Sequence, residues 1–335
     1  MISEEIHEIT TDDGTRLTSV LEVPRSPAMG AVVILQGSGN VSYDGDISSD
    51  FLGFGLQSQK PLLSRQIAHI LAQKGIASLR YSKRGVDDPS LLRQQTIAYL
   101  QKDARAALRN LQARFPGLKS GFVGFSEGAV VATLAAQTAA VDSLFLLAPL
   151  TRPFLEILQY QFVTWPVELL RRTLDLDGDG IICDEDFRRE NIRELPLTRA
   201  SVQELLGTQN QISLEAGCTV YYQGLLQAVL ELGRHPPLSD WAESMFALPD
   251  FKTVASNTHC PVYVYQADED AQVASQWVKD DVRSFPALVL TQTFPGLGHA
   301  FCPMAGTYGQ IKTSGPFDQS FLECLGRHVA EEFKI

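Results

Sequence analysis

The stretch from Ser120 to Ala136 constrains the fold more than any other part of the chain. An apolar run, Gly121-Phe122-Val123-Gly124-Phe125, passes into Ser126-Glu127-Gly128 and then directly into the helical run GAVVATLAAQTAA. A strand that becomes a helix across so short a turn brings two backbones almost into contact, and glycine is the residue that leaves room. Gly124 and Gly128 flank Ser126 at the G-x-S-x-G spacing that meets this need, which holds the serine in a strained turn with its hydroxyl at the end of the strand. Read as local structure only, the same residues form a tight strand-to-helix turn with Ser126 as the helix N-cap.

The remaining sequence supplies a sheet for that turn. Short apolar runs alternate with helical periodicity: RLTSVLEV, AVVILQ, the helix LSRQIAHILAQKG, IASLRY, the helix LQKDARAALRNLQARF, the elbow strand and its helix, and DSLFLLAPL. Such alternation predicts βαβ crossovers and a mostly parallel central sheet flanked by helices, with the opening pair of strands antiparallel at one edge. The pattern stops near Pro149. Up to about Ser256 the sequence reads as helices, among them LEILQYQFVTWPVELLRRTL and VYYQGLLQAVLEL, before strands return at PVYVYQ and ALVLTQTF and a last helix runs through FLECLGRHVAEEF. The expected organisation is an α/β core over 1–149 and 257–335, with a helical cap inserted at 150–256 over the C-terminal ends of the strands, where open α/β sheets bind ligands.

A serine hydroxyl is a poor nucleophile until a base accepts its proton, so the elbow calls for a histidine later in the chain and an acid between them. His299 follows the last strand, in the glycine-rich stretch FPGLGHAF. His7, His69 and His235 fall on early or cap segments, and His259 and His328 on a loop before a strand and on the final helix. The acid is expected after PVYVYQ, where ADEDAQV offers Asp268, Glu269 and Asp270. A negatively charged tetrahedral oxygen also needs two N–H donors. One is expected from the backbone of Glu127, directly after the serine. The other is expected from the loop Gln36-Gly37-Ser38-Gly39, at Ser38. The Glu127 carboxylate itself reads as structural, complementing the helix N-terminus.

Taken in order, LQGSG, SLRYSKRGV, GFSEG, ADEDAQV and GLGHAF resemble the bacterial esterase and serine-aminopeptidase-like (S33-like) branch of the α/β hydrolases, over roughly residues 15–150 and 258–335. The resemblance implies the α/β-hydrolase fold with an inserted helical cap. It also favours Asp270 as the acid, because Ala267 and Val273 bracket it as in the G-x-x-D-x-x-V loop of many members, leaving Asp268 as a turn or capping residue. Gln36 stands where relatives often carry His-Gly, and Ser82 where an Asp often follows Arg-Tyr, so the resemblance speaks for fold more than for substrate. The implied activity is cleavage of a small carboxylic ester through an acyl-enzyme by Ser126, His299 and Asp270, with no catalytic cofactor. Peptidase, acyltransferase or thioesterase chemistry would use the same residues, and a non-catalytic binding protein retaining the fold is the alternative of a different class.

The cap contains Asp175-Leu176-Asp177-Gly178-Asp179-Gly180-Ile181-Ile182-Cys183-Asp184-Glu185-Asp186. Carboxylates at loop positions 1, 3 and 5, glycine at 6 and isoleucine at 8 match the EF-hand-like D-x-D-x-D-G loop, whose alternate oxygens converge on one calcium ion. The expected ligands are Asp175, Asp177, Asp179, the Ile181 carbonyl and Asp186, with Asp186 in place of the usual glutamate. A charged solvated turn is the competing reading. Formal charge is -11, from 28 basic and 39 acidic residues, and argues against nucleic-acid or anionic-membrane partners. No run approaches the ~18 apolar residues of a membrane span. Five cysteines without a CxxC pair disfavour a disulfide framework or zinc site and fit free thiols in a reducing cytoplasm, with a secreted mature form left open.

Overall fold

Eight strands build the central sheet of the computed structural model, which describes residues 2–47, 62–175, 177–183, 185–186, 211–304 and 317–334. β1 (Ser3–Thr10) and β2 (Arg16–Val23) form an antiparallel pair at one edge, as the sequence predicts, and β2 also runs antiparallel to β4 (Ile76–Tyr81). β4 pairs in parallel with β3 (Gly30–Leu35), which continues through β5 (Ser120–Phe125), β6 (Ser143–Leu147), β9 (Val262–Ala267) and β10 (Leu288–Phe294), all parallel. The spatial order is β1-β2-β4-β3-β5-β6-β9-β10. β3, β4, β6 and β9 are buried at every residue, so they read as nearly unbroken apolar runs, as strands covered on both faces do.

Helices cover both faces. α1 (Leu63–Gln73) and α10 (Gln319–Phe333) lie on one side, where Leu63, Ile67, Ile70 and Leu71 recur at helical spacing and pack with Val32, Ile34, Val123, Phe145 and Tyr265. α2 (Ile97–Arg114), α3 (Glu127–Ala136) and α9 (Ser275–Asp281) lie on the other, against Val33, Leu35, Leu79, Phe122 and Leu146. Neighbouring residues of β3 thus serve opposite layers, which is the period-two alternation of a strand. The fold is that of the α/β hydrolases, with a helical insertion between β6 and β9.

That insertion carries α4 (Phe154–Gln159), α5 (Trp165–Thr173), α6 (Thr219–Leu232), α7 (Ser239–Phe246) and α8 (Phe251–Ser256). It departs from a purely helical reading at β7 (Ile181–Cys183) and β8 (Gln211–Ser213), an antiparallel ribbon in which Ile182 faces Ile212. Ile182 is fully buried with Leu170, Leu174, Leu214, Cys218, Tyr222 and Leu226 in an apolar cluster of the insertion's own. α7 and α8 instead contribute Met245 and Ala255 to the main core. Among the described residues, no helix is long and apolar enough to cross a membrane. None of the five cysteines is joined in a disulfide.

Directly after β4 the chain buries two cations. Arg84 is fully buried and donates from Nε and Nη2 to the equally buried Asp103 of α2, at 2.6 to 3.1 Å, while its remaining N–H groups reach Asp13, Thr15 and Gln94. Removing one partner of a buried pair strands the other charge, so Arg84→Met is expected to lower the unfolding free energy by about 3–5 kcal/mol. Arg109→Met, which breaks an exposed pair with Asp12, should cost under about 1 kcal/mol. Urea unfolding of the two variants checks the contrast, and equal losses would refute it.

Candidate active site

Ser126 sits at φ 55° and ψ −118°, a conformation that side chains rarely adopt, with its N–H donating to the Leu147 carbonyl of β6 at 2.8 Å. A Cβ on Gly124 would lie 2.4 Å from the Gly128 carbonyl oxygen, and one on Gly128 would lie 2.3 Å from that of Leu35. Strand β5, helix α3 and the end of β3 therefore meet at contact distances only glycine permits. The serine side chain makes no capping bond to the helix, which sets aside the N-cap reading.

Its hydroxyl meets His299 instead. His299 Nε2 lies 3.0 Å from Ser126 Oγ, and His299 Nδ1 lies 2.9 Å from Asp270 Oδ2. All three residues are buried, Ser126 and His299 at 5% and 6% exposure and Asp270 completely. Asp270 comes from the turn after β9, and its carboxylate is saturated: Oδ1 accepts from the Gln272 and Val273 N–H groups at 2.7 and 2.9 Å, and Oδ2 also accepts from Gln266 Nε2 at 2.9 Å. A carboxylate so held is fixed in direction. With Nδ1–H donating to Asp270, Nε2 faces the serine as acceptor. Asp268 is exposed and accepts from the Gly296 N–H at 2.7 Å, a turn role apart from the histidine.

The His299 loop is pinned by Phe301, which stacks on Phe321 of α10 at 3.9 Å between ring centroids and meets Phe294 edge-on. On the opposite side of the serine, Gly37 presses against Phe125 and Ser126, and Gln36 Nε2 donates to the Tyr81 carbonyl at 2.7 Å. Among the described residues, the Ser38 and Glu127 N–H groups donate to no carbonyl or side chain. Glu127 is fully buried and its carboxylate accepts from Lys83 Nζ and from Trp241 Nε1 of α7, each at 2.5 Å.

The insertion touches the acid turn directly. A π-helical turn at Tyr160–Thr164 joins α4 to α5 and brings Tyr160 Oη to the Asp270 carbonyl at 3.1 Å and Gln161 Nε2 to that of Gln272 at 3.3 Å. Burial, and then the Asp270 charge, push the Tyr160 phenol up, so it remains a donor. Arg172 of α5 pairs with Glu269 at 3.4 Å.

Farther along the insertion, Asp175, Asp177 and Asp179 bring one carboxylate oxygen each to within 4.8 Å of one another, Asp175 buried and the other two exposed. Asp175 accepts from the Gly180 N–H at 3.2 Å and Asp179 from the Ile181 N–H at 2.8 Å. Asp186 stands outside this group of three, its Oδ2 accepting from the Cys183 N–H at 2.8 Å. Leu176 and Asp184 of the loop lie outside the described residues.

Tyr160 stands out in the sequence only as one of the cap aromatics that suggest an apolar acyl group, and Gln266, Lys83, Trp241 and Phe301 do not stand out there as parts of the site. Two of them carry a signal in hindsight. Gln266 is a polar residue inside a fully buried strand, and Lys83 is a charge two residues beyond the end of one.

No protein-family model and no curated protein matches the chain. Solved structures share its fold. Est1E from Butyrivibrio proteoclasticus aligns with a TM-score of 0.53 and 13% identity, over 98% of this chain and 98% of that one. An esterase of Pyrococcus furiosus gives 0.51 and 14%, over 99% and 91%. Dienelactone hydrolase from Anabaena variabilis gives 0.51 and 12%, over 99% and 97%. At such identities the likeness shows the fold alone.

The elbow geometry generates a test of its own. Gly128→Ala places a methyl against two carbonyl oxygens of β3's end, at 2.3 and 2.7 Å, neither of which can yield as a side chain would. Chemical denaturation should show a loss of about 1–3 kcal/mol or more, whereas a variant as stable as wild type would mean that the elbow is looser than drawn.

Proposed function

We propose that the protein is a serine hydrolase that cleaves a small carboxylic ester through an acyl-enzyme. The observation that carries this reading is the buried line of contacts from Ser126 Oγ to His299 Nε2 and from His299 Nδ1 to Asp270 Oδ2, at 3.0 and 2.9 Å. An esterase and a dienelactone hydrolase among the structures of like fold are consistent with it.

In the proposed reaction Ser126 Oγ attacks the ester carbonyl carbon as its proton passes to His299 Nε2. The carbonyl π electrons move to oxygen, which the N–H groups of Ser38 and Glu127 receive. Collapse of that intermediate expels the alcohol, which takes the proton from His299. Water, deprotonated by the same imidazole, then attacks the acyl carbon, the bond to Ser126 Oγ breaks to release the carboxylic acid, and Oγ takes the proton back from His299. Asp270 orients the ring and stabilises the imidazolium. Segment 150–256 serves as the cap that shapes the acyl pocket, because it packs on the acid turn through Tyr160 and on the elbow through Trp241.

With p-nitrophenyl acetate, Ser126→Ala and His299→Ala should each lower kcat by at least about a thousandfold with little change in stability. Asp270→Asn should be severe as well, and Asp268→Asn mild. The opposite order would move the acid to Asp268. Turnover of aminoacyl anilides far above that of esters would make the chain a peptidase on the same residues.

We propose that the acidic loop holds a structural divalent cation through Asp175, Asp177 and Asp179, whose oxygens converge, and that the Ile181 carbonyl and Asp186, at positions 7 and 12, join them when the ion binds. Its donors are all oxygen, which suits calcium over a softer metal. Three convergent carboxylates repel one another until a cation neutralises them. Calcium should raise the melting temperature of chelator-treated wild type, with binding between about 0.1 µM and 1 mM, and should leave Asp177→Ala unmoved. Identical melting of both proteins with and without calcium would reduce the loop to a charged turn.

A further inference from the structure

The ion pair beside Ser126 has no part in proton transfer, yet it is bonded to the peptide unit that carries one proposed oxyanion donor and to the side chain of the residue that carries the other. Lys83 Nζ donates to the Gly37 carbonyl and to Glu127 Oε1, each at 2.5 Å, from a side chain only 4% exposed. The Gly37 carbonyl and the Ser38 N–H belong to one peptide unit. A peptide is planar and trans, with its C=O and N–H pointing in opposite directions. An ammonium fixed on the Gly37 oxygen therefore sets the plane of that unit and the heading of the Ser38 N–H. It also draws electron density toward the oxygen, which strengthens the N–H as a donor.

The second donor is anchored through the same cation. Glu127 supplies its backbone N–H at the first position of α3 and its carboxylate to Lys83. The other carboxylate oxygen accepts from Trp241 of α7, so the carboxylate is bracketed by a cation on one side and an indole on the other. Lys83 itself cannot drift. Its backbone N–H donates to the Val41 carbonyl at 3.0 Å, and the adjoining Arg84 is locked to Asp103. A positive charge at this place is costly to bury, and a glutamate beside it is what keeps it there.

We infer that Lys83 is a positioning residue for the oxyanion hole, fixing the Ser38 and Glu127 N–H groups in one arrangement through its bonds to the Gly37 carbonyl and the Glu127 carboxylate. This rests on the serine-hydrolase reading above and adds to it the side chain that sets donor geometry. Through Trp241 the same cation ties the position of α7 to that geometry, so the insertion and the oxyanion hole share one anchor.

The consequence is specific to tetrahedral species. Donors aimed at the developing oxyanion favour the transition state over bound ester, so their misalignment lowers kcat and leaves KM nearly alone. A part that merely supports the fold would change the amount of folded protein and leave the inhibition constant of a tetrahedral mimic unmoved.

The test uses the full chain, p-nitrophenyl acetate as substrate, and phenylboronic acid, which forms a tetrahedral adduct on a serine oxygen. Lys83→Met with Glu127→Gln leaves no stranded charge. It is expected to lower kcat about 10- to 100-fold and weaken phenylboronic acid by a similar factor, with KM within about threefold of wild type. Glu127→Gln alone keeps the Lys83 bond to Gly37 and should fall between, at about three- to tenfold in both quantities. A double variant with wild-type kcat and boronate affinity, or one that only melts earlier with that affinity unchanged, overturns the assignment and leaves the hydrolase reading standing. Should the double variant fail to fold, Glu127→Gln decides, and a wild-type inhibition constant there overturns it. A wild-type protein with neither turnover nor boronate binding removes both readings.

Discussion

The backbone of Ser126 is the constraint on which the rest of the structure depends. Holding a residue with a side chain at φ 55° and ψ −118° costs about 1–3 kcal/mol, and it persists only where the surroundings leave no alternative. Here the surroundings are the Leu147 carbonyl, which takes the serine N–H, and the two glycines that let β3, β5 and α3 close around the turn. Because the neighbouring strands are parallel, the same closure gathers their C-terminal ends. The loops after β3, β5, β9 and β10 converge there, and they carry Ser38, Ser126, Asp270 and His299.

Around this turn the molecule buries a set of polar groups, each with its partner in place. Asp270 receives four donors, and Glu127 is bracketed by Lys83 and Trp241. Arg84 and Asp103, one step farther out, fix the segment after β4 to α2. Charges buried in this way add little to stability when complete, and removing one member is costly. What they contribute is a single arrangement: the loop from Gln36 to Ser38 is held against the elbow by Lys83 on one side and by Gln36 on the Tyr81 carbonyl on the other.

Much of this architecture can be read in the sequence because it is written locally. Parallel strands covered on both faces show as apolar runs, and the elbow shows as a strand, two glycines and a helix. His299 follows from its place after the last strand. Asp270 does not follow from its residue type, since Asp268 and Glu269 stand beside it. A resemblance in loop spacing is what favours it, and the geometry that distinguishes it, saturation by Gln266, Gln272, Val273 and His299, exists only once the turn has formed. Lys83 and Glu127 are 44 positions apart, and Trp241 meets Glu127 across 114, so no local pattern announces them. The three-residue strands of the ribbon are likewise too short for a periodic signal, and pairing Ile182 with Ile212 is what reveals them.

Among its contacts with the core, the insertion places Tyr160 on the turn that carries Asp270 and Trp241 on the elbow glutamate, so whatever orders the insertion bears on both ends of the proposed chemistry. The central claim is narrower: that the Ser126 hydroxyl, lined up with His299, is a nucleophile. Tandem mass spectrometry of the protein after treatment with a fluorophosphonate tests it directly. The account predicts one phosphonyl group per chain, on Ser126, and its loss in His299→Ala. An unmodified Ser126, or modification that persists unchanged without His299, would contradict it.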